Sequence, residues 1–267
     1  MHSLLVSKSL YLTIVASPPF MKKFIVILSA VLLFAACSQR VYVADKLAYK
    51  GYPIKQDAKK DPAIVKMLQP YSDSVNSTMN GIIGTTSTVL DKGGVNGSLG
   101  NFITDAMLSA ASKQYNRNVD GAFVNSGGIR LTQITAGPIT TGKIFELMPF
   151  DNLLILQEMT GTQLQEFLNH ISARGGFPTA GITYGIQNKK AVNVLVKGKP
   201  INMATTYTIA NSDYIANGGD DCTMLKVLPQ ISNGYLIRNA LIDYLKEQTA
   251  EGKTIKAKIE ERVKKME

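Results

Sequence analysis

Two glycine-rich turns, each entered from a short apolar run, constrain this chain more than any other feature. At the first, Ala122-Phe123-Val124 breaks into Asn125-Ser126-Gly127-Gly128, with Arg130 close behind. At the second, the strand-like run 207–210 leads into 211–221, which reads NSDYIANGGDD. Paired glycines let the backbone take positive φ and come close to a ligand, because no Cβ stands in the way. Arg130 adds a planar fork matched to phosphate or carboxylate oxygens. Phe150 sits between Pro149 and Asp151, an awkward place for a large ring with only a core to fill. If the two turns converge, Phe150 and Tyr214 sandwich a flat base, and stacking of that kind is worth roughly 1–3 kcal/mol per base. Arg130 then takes a phosphate and Asp220 a pair of ribose hydroxyls. Taken alone, the same residues also fit two ordinary Gly-rich loops and a surface arginine, and spacing does not choose between the two.

The pattern around the turns sets the fold class. Asp61-Pro62 reads as a helix start, with Asp as N-cap and Pro in the first turn. The helix it opens carries an apolar stripe of Ile64, Val65, Leu68, Val75 and Met79, which Pro70 is expected to kink or interrupt. The β-branched run 82–90 predicts one strand, and 99–112 an amphipathic helix with Leu99, Phe102, Ile103, Ala106, Met107 and Ala110 on one face. Strands are expected over 121–125, 153–157 and 207–210, and a hairpin over 182–186 and 191–196. Thr160-Gly161-Thr162-Gln163 is a capping box that opens a helix over 161–173. A last helix is expected over 234–250, and the basic tail 253–265 as a solvated helix face. Irregular alternation with a hairpin predicts an α+β domain, a mixed β-sheet flanked by helices, rather than a doubly wound one.

The first 37 residues read as a leader. Met21-Lys22-Lys23 precedes an apolar run over 24–36 that Cys37 closes. That run suits a signal-peptide core and is too short for a stable membrane span. Ala35-Ala36-Cys37 is close to a lipobox, so Cys37 is the expected lipidation site and Met21 the expected start. Residues 38–60 then form a tether and 61–267 the domain, in a lipoprotein of a Gram-negative-type periplasm or envelope held to the membrane by its lipid. Removing 1–37 takes three lysines (Lys8, Lys22, Lys23) and no acid, so the net charge falls from +9 to +6. No Lys/Arg block interleaved with aromatics marks a nucleic-acid partner. Cys222 is then the lone cysteine, a small buried residue with no disulfide partner.

The ordered segments NSGGIR, ITTGKIFELMPFDN, MTGTQLQEFL and YTIANSDYIANGGDD, with LGNFITDAM before them, resemble the C-terminal, substrate-binding domain of the 5′-nucleotidase/UDP-sugar hydrolase family over about 61–250. The resemblance implies that Asn125 and Arg130 contact nucleoside and phosphate, with Gly128 in the same substrate-binding turn. It implies that Phe150 and Tyr214 clamp the base, Tyr214 replacing the usual phenylalanine, that Asn152 contacts the base and that Asp220 binds ribose. The family places further arginines before the LGN helix, where this chain has only Lys92. Its chemistry belongs to an N-terminal metallophosphatase domain with two metal ions and a metal-bound water nucleophile. Residues 61–267 contain one histidine, His170, and none of that domain's Asp-x-His or His-x-His pairs. No catalytic residue, metal ligand or cofactor is therefore expected here. The family's phosphoric ester hydrolysis is expected only with divalent metals in a separate metallophosphatase partner chain, for which this chain supplies nucleotide recognition. A non-catalytic nucleotide-binding or scavenging lipoprotein is the alternative.

Overall fold

A computed structural model describes residues 59–266, together with 51–53 and positions 20, 23 and 27. The chain divides into two units, 1–59 and 60–267, and the fold that follows is that of the second. The expected leader, Cys37, and nearly all of the tether lie outside the described residues.

Helix α1 (Pro62–Met79) begins as its sequence dictates, with the Asp61 carboxylate accepting from the Ala63 and Ile64 amides. It departs from expectation in two ways. It runs unbroken through Pro70. And its stripe is not core: Ile64, Leu68 and Val75 are each at least half exposed, as is Tyr71. The two facts are linked. A proline costs a helix one amide bond to the preceding turn, and on a helix with no buried residue water satisfies the freed carbonyl.

Two short strands follow where one was expected. β1 (Ile82–Thr86) and β2 (Leu90–Asp91) are separated by a turn in which the Thr86 hydroxyl donates to the Thr88 carbonyl, at 2.7 Å. β2 pairs with β4 (Gln133–Ile134) and β1 with β5 (Gly137–Thr140). Between them stand α2 (Ser98–Gln114) and β3 (Gly121–Phe123), and after them α3 (Thr141–Leu147), capped by Thr140.

The centre is a mixed sheet of five strands. β6 (Leu154–Thr160) and β11 (Thr206–Ser212) pair antiparallel over seven residues, and β11 pairs parallel with β3. β7 (Thr179–Ala180) and β12 (Gln230–Ile231) complete the edges. Successive side chains on a strand point to opposite faces, and the two cores follow that parity. Ala122, Leu154, Leu156 and Ala210 face one core with Leu99, Ile103 and Met107 of α2 and with Ala240, Leu241 and Leu245 of α6 (Ile237–Ala250). Phe123, Met159 and Ile209 face the other, against Leu164, Phe167, Leu168 and Ile171 of α4 (Gly161–Ser172). A strand buried on both faces needs an apolar run rather than alternation, which is why β6 opens Leu-Ile-Leu. The capping box at Thr160 forms as expected, with Thr160 and Gln163 exchanging side-chain bonds.

The expected hairpin is present as β8 (Ile182–Gln187) and β9 (Lys190–Val196), joined through Asn188 and Lys189 at positive φ, the turn whose twist matches the strands. β10 (Lys199–Pro200) extends this second sheet. Two end assignments change. The last helix starts at Ile237, not 234, because Leu236 bridges to Leu153. The basic tail is not helical: β13 (Val263–Lys265) adds parallel to β8, and Arg262 is buried beside it. Its guanidinium donates to both oxygens of Asp105, at 2.8 and 3.1 Å, and to the Thr179 carbonyl.

Breaking a buried ion pair from one side leaves the other charge unpaired, at a cost of about 3–5 kcal/mol. Lys258 stays within 3.0 Å of Asp105, so Arg262→Met is expected near the lower end, about 3 kcal/mol, in urea unfolding. A loss under about 1 kcal/mol, the range of solvent-screened pairs, would show that the tail is not anchored there.

Candidate functional site

Strand direction assembles the site. β3 and β11 run parallel, so the chain leaves both at the same end of the sheet, and antiparallel β6 enters there. Three segments therefore meet: 125–130 after β3, 150–153 before β6, and 213–221 after β11. Ligands of open sheets gather at the carboxyl ends of parallel strands for the same reason.

The segments enclose a cleft of about 400 Å³, within the range of about 300–1,000 Å³ usual for small-molecule sites. The first supplies Asn125, Gly127 and Gly128, the second Phe150 and Asn152, the third Tyr214 and Asp220. Six of the seven sequence-derived binding residues thus line one cavity. The seventh, Arg130, stands exposed at its margin, its guanidinium 5.8 Å from the centre of the Phe150 ring and 3.3 Å from the Gly127 carbonyl. Phe150 and Tyr214 are 48% and 46% exposed, large apolar rings left open to whatever enters between the turns.

Tyr214 lies on a short helix, α5 (Asp213–Ala216), whose N-cap hydroxyl, Ser212, accepts from the Ile215 amide. Its ring lies against Gly219, where a Cβ would come within 2.4 Å of a ring carbon, so only glycine fits beneath it. The Asp220 carboxylate accepts from Asn125 Nδ2 at 2.8 Å and from the Tyr214 hydroxyl at 3.1 Å. Asp220 and Asp221 both take positive φ, +51° and +59°, after Gly218 at +89°. His170, in the last turn of α4, and Arg174, just past its end, contact this turn through the Asp220 carbonyl and the Asp221 carboxylate.

Several positioning residues have no local sequence signal. Arg238, on α6, is buried; it donates to the carbonyls of Met148, Pro149 and Phe150 at 3.3–3.4 Å and to Asp151 at 2.5 Å. Its guanidinium also lies 4.1 Å from the Phe145 ring centre, a cation–π contact. This one side chain shapes the turn that presents Phe150. Asp213 ties the two walls, accepting from the Leu153 and Tyr214 amides, each at 2.9 Å. Lys92 turns inward, its ammonium donating to the Ile129 carbonyl at 2.7 Å. It braces the first turn from behind. Cys222 is fully buried, and burial pushes its thiol up to about 11, as suits an inert packing residue. Among the described residues no group of three His, Cys, Asp or Glu side chains lies together, and no helix is long and apolar enough to cross a membrane.

A model of the 5′-nucleotidase C-terminal domain matches residues 77–227, more than half of the chain. The chain belongs to the 5′-nucleotidase C-terminal domain family. It is 29% identical over 204 residues to a 5′-nucleotidase of Vibrio vulnificus, covering 73% of this chain and 36% of that protein. A trifunctional nucleotide phosphoesterase of Bacillus subtilis, YfkN, is 30% identical over 246 residues, covering 84% of this chain and 16% of its own length. The crystal structure of a 5′-nucleotidase precursor from Thermus thermophilus superposes with a TM-score of 0.64 at 29% identity, over 75% of this chain and 42% of that one. The chain therefore spans less than half the length of these relatives. The fold expected from the alternation of elements, an α+β domain with a mixed sheet flanked by helices, is the one observed; the expected hairpin belongs to a second sheet, and the two short ribbons are additional.

The hydrogen bond to Asp220, reinforced by that carboxylate's charge, holds the Tyr214 phenol above its ordinary value near 10. A spectrophotometric titration of wild type against Tyr214→Phe isolates this phenol, which is expected to ionise above pH 10. In Asp220→Asn it should fall back toward the ordinary value; an unchanged midpoint would remove the Tyr214–Asp220 bond from the solution structure.

Proposed function

We propose that this chain is the nucleotide-recognition half of a 5′-nucleotidase-type hydrolase, working with a separate metallophosphatase chain in nucleotide catabolism. The observation that carries the reading is the convergence of Phe150, Asn152, Tyr214 and Asp220 with the Asn125–Gly128 turn in one cleft. Two half-exposed aromatics offer stacking faces. Asn152 offers an amide for a base edge. Asp220 offers a carboxylate whose oxygens accept sugar hydroxyls beside the bonds already made to Asn125 and Tyr214. Arg130, at the rim, offers a fork to a 5′-phosphate. The relatives are named as nucleotidases and nucleotide phosphoesterases, and this chain matches about a third or less of their length. The hydrolytic centre belongs on this reading to the partner: two divalent metals would need several imidazoles and carboxylates, and His170 is engaged with Asp220. On the same reading, the leader and Cys37 make this half a lipid-anchored protein of the periplasm or cell envelope.

A second reading is a nucleoside- or nucleotide-binding lipoprotein with no hydrolytic partner. The inward turn of Lys92 favours it, because it leaves phosphate recognition to one exposed arginine.

Calorimetric titration with AMP and adenosine separates the readings. The nucleotidase reading expects AMP to bind about five- to tenfold tighter than adenosine, the modest end of a charge-assisted bond because Arg130 is exposed. Arg130→Ala should erase that difference and leave adenosine unaffected, while Phe150→Ala weakens both by about 1–3 kcal/mol. Equal binding of AMP and adenosine by wild type points to the second reading, and no heat from either ligand sinks both. Hydrolysis of AMP at an enzymatic rate by the purified chain with Mg²⁺, Mn²⁺ or Zn²⁺ would show that the catalytic centre lies here after all.

A further inference from the structure

We infer that His170 is a positioning residue for sugar recognition: through the main-chain carbonyl of Asp220 it holds that residue's carboxylate in the cleft, with Arg174 fixing the state of its ring. The inference rests on the proposed nucleoside reading of the cleft.

Asp220 is an unusual place for a ligand-binding carboxylate. Its φ and ψ are +51° and +35°, and Asp221 follows at φ +59°. Two successive side-chain-bearing residues in the left-handed region persist only where their surroundings over-determine them. The bonds that Asn125 and Tyr214 make to the carboxylate come from groups lining the cleft. A sugar entering there bonds to the same oxygens beside them, and so pulls on the same carboxylate. The turn therefore needs a hold that a ligand does not disturb.

α4 supplies one from behind. His170 Nε2 lies 3.0 Å from the Asp220 carbonyl oxygen. A carbonyl only accepts, so Nε2 carries the proton. Nδ1 of the neutral ring is then an acceptor, and Arg174 Nη1 stands 3.3 Å from it. The other arm of the guanidinium, Nη2, donates to Asp221 Oδ2 at 2.9 Å. His170, in the last turn of α4, and Arg174, two residues past the helix end, thus grip both strained residues, one by its backbone and one by its side chain. The helix is a firm support: its start is locked by the capping box, and Phe167, Leu168 and Ile171 are buried on either side of His170. His170 itself does not line the cleft. It acts through Asp220.

The test compares adenosine, guanosine, uridine and cytidine, each with its 2′,3′-dideoxy counterpart, by calorimetry on wild type, His170→Ala, His170→Gln and Arg174→Met. Wild type is expected to prefer the ribosides. In His170→Ala that preference should fall about tenfold, within the strength of one hydrogen bond to a charged site, while binding of the dideoxynucleosides stays as in wild type. His170→Gln carries an amide donor that reaches the same carbonyl and should restore most of the preference. Arg174→Met, an exposed change that leaves the core intact, should reduce it part-way and keeps the inference testable if His170→Ala fails to fold. An undiminished preference in both His170→Ala and Arg174→Met overturns the inference, and so does an equal loss for ribosides and dideoxynucleosides, which marks a residue that only supports the fold. If wild type itself shows no preference for ribose, the sugar-binding reading of Asp220 fails first, and that result is distinct from either mutant outcome.

Discussion

The parallel pairing of β11 with β3 is the constraint on which the rest of the site depends. Only two residue pairs define it, Ile209 with Gly121 and Ala210 with Ala122. It decides that both glycine-rich turns leave the sheet at the same end. Were β3 antiparallel to β11, Asn125 and Asp220 would emerge at opposite ends, and no side chain could join them. β3 also packs closely on the second sheet because of a glycine: a Cβ on Gly121 would fall 2.5 Å from Ile182. A larger residue there would push β3 off the second sheet. The register of β3, and with it the Asn125–Asp220 bond, is thus tied to packing on the far side from the first core.

The walls of the cleft are held by two polar groups that themselves stand outside it, Arg238 buried and Asp213 partly so. Arg238 gathers three carbonyls and one carboxylate from 148–151, and Asp213 gathers amides from both the second and the third segment. A buried charge such as Arg238 contributes little net stability against well-packed apolar side chains, yet leaving it without partners is expensive. The effect of both groups is to restrict the turns to one arrangement. That leaves Phe150 and Tyr214 presented to solvent on a rigid frame, the condition under which an exposed aromatic binds without a large ordering cost.

What was legible in the sequence was local. The Thr160–Gln163 box, the Asp61 cap, the 182–196 hairpin and the amphipathic face of α2 each announce themselves within a few residues, and each formed. The turns at 125–130 and 217–221 were legible as turns; their meeting was inferred from the order of family motifs, since spacing carries no strand direction. The misses have the opposite character. Arg238 is 87 residues from Asp151, and Arg262 is 157 from Asp105. The tail became a strand because Arg262 and Val263 found buried partners, which no window of the tail contains. Pro70 interrupts no helix because the carbonyl it leaves free faces water along a helix with no buried residue.

The resulting site is graded along its length. At the Asp220 end the groups are engaged: the carboxylate is bonded on both oxygens and its main chain is held by His170. At the Arg130 end they are open, with an exposed guanidinium, exposed Ser126 and Gly127, and a lysine turned away. On the proposed reading, base and sugar are recognised where the protein is rigid, and the phosphate is left where solvent or another polypeptide can reach it. A domain that both bound and cleaved would enclose the phosphate most tightly, because charge develops there in the transition state and water must be kept from it. Here the tight end is the nucleoside end. That polarity leaves the phosphate end open on either reading: to a catalytic centre from outside on the first, to solvent on the second.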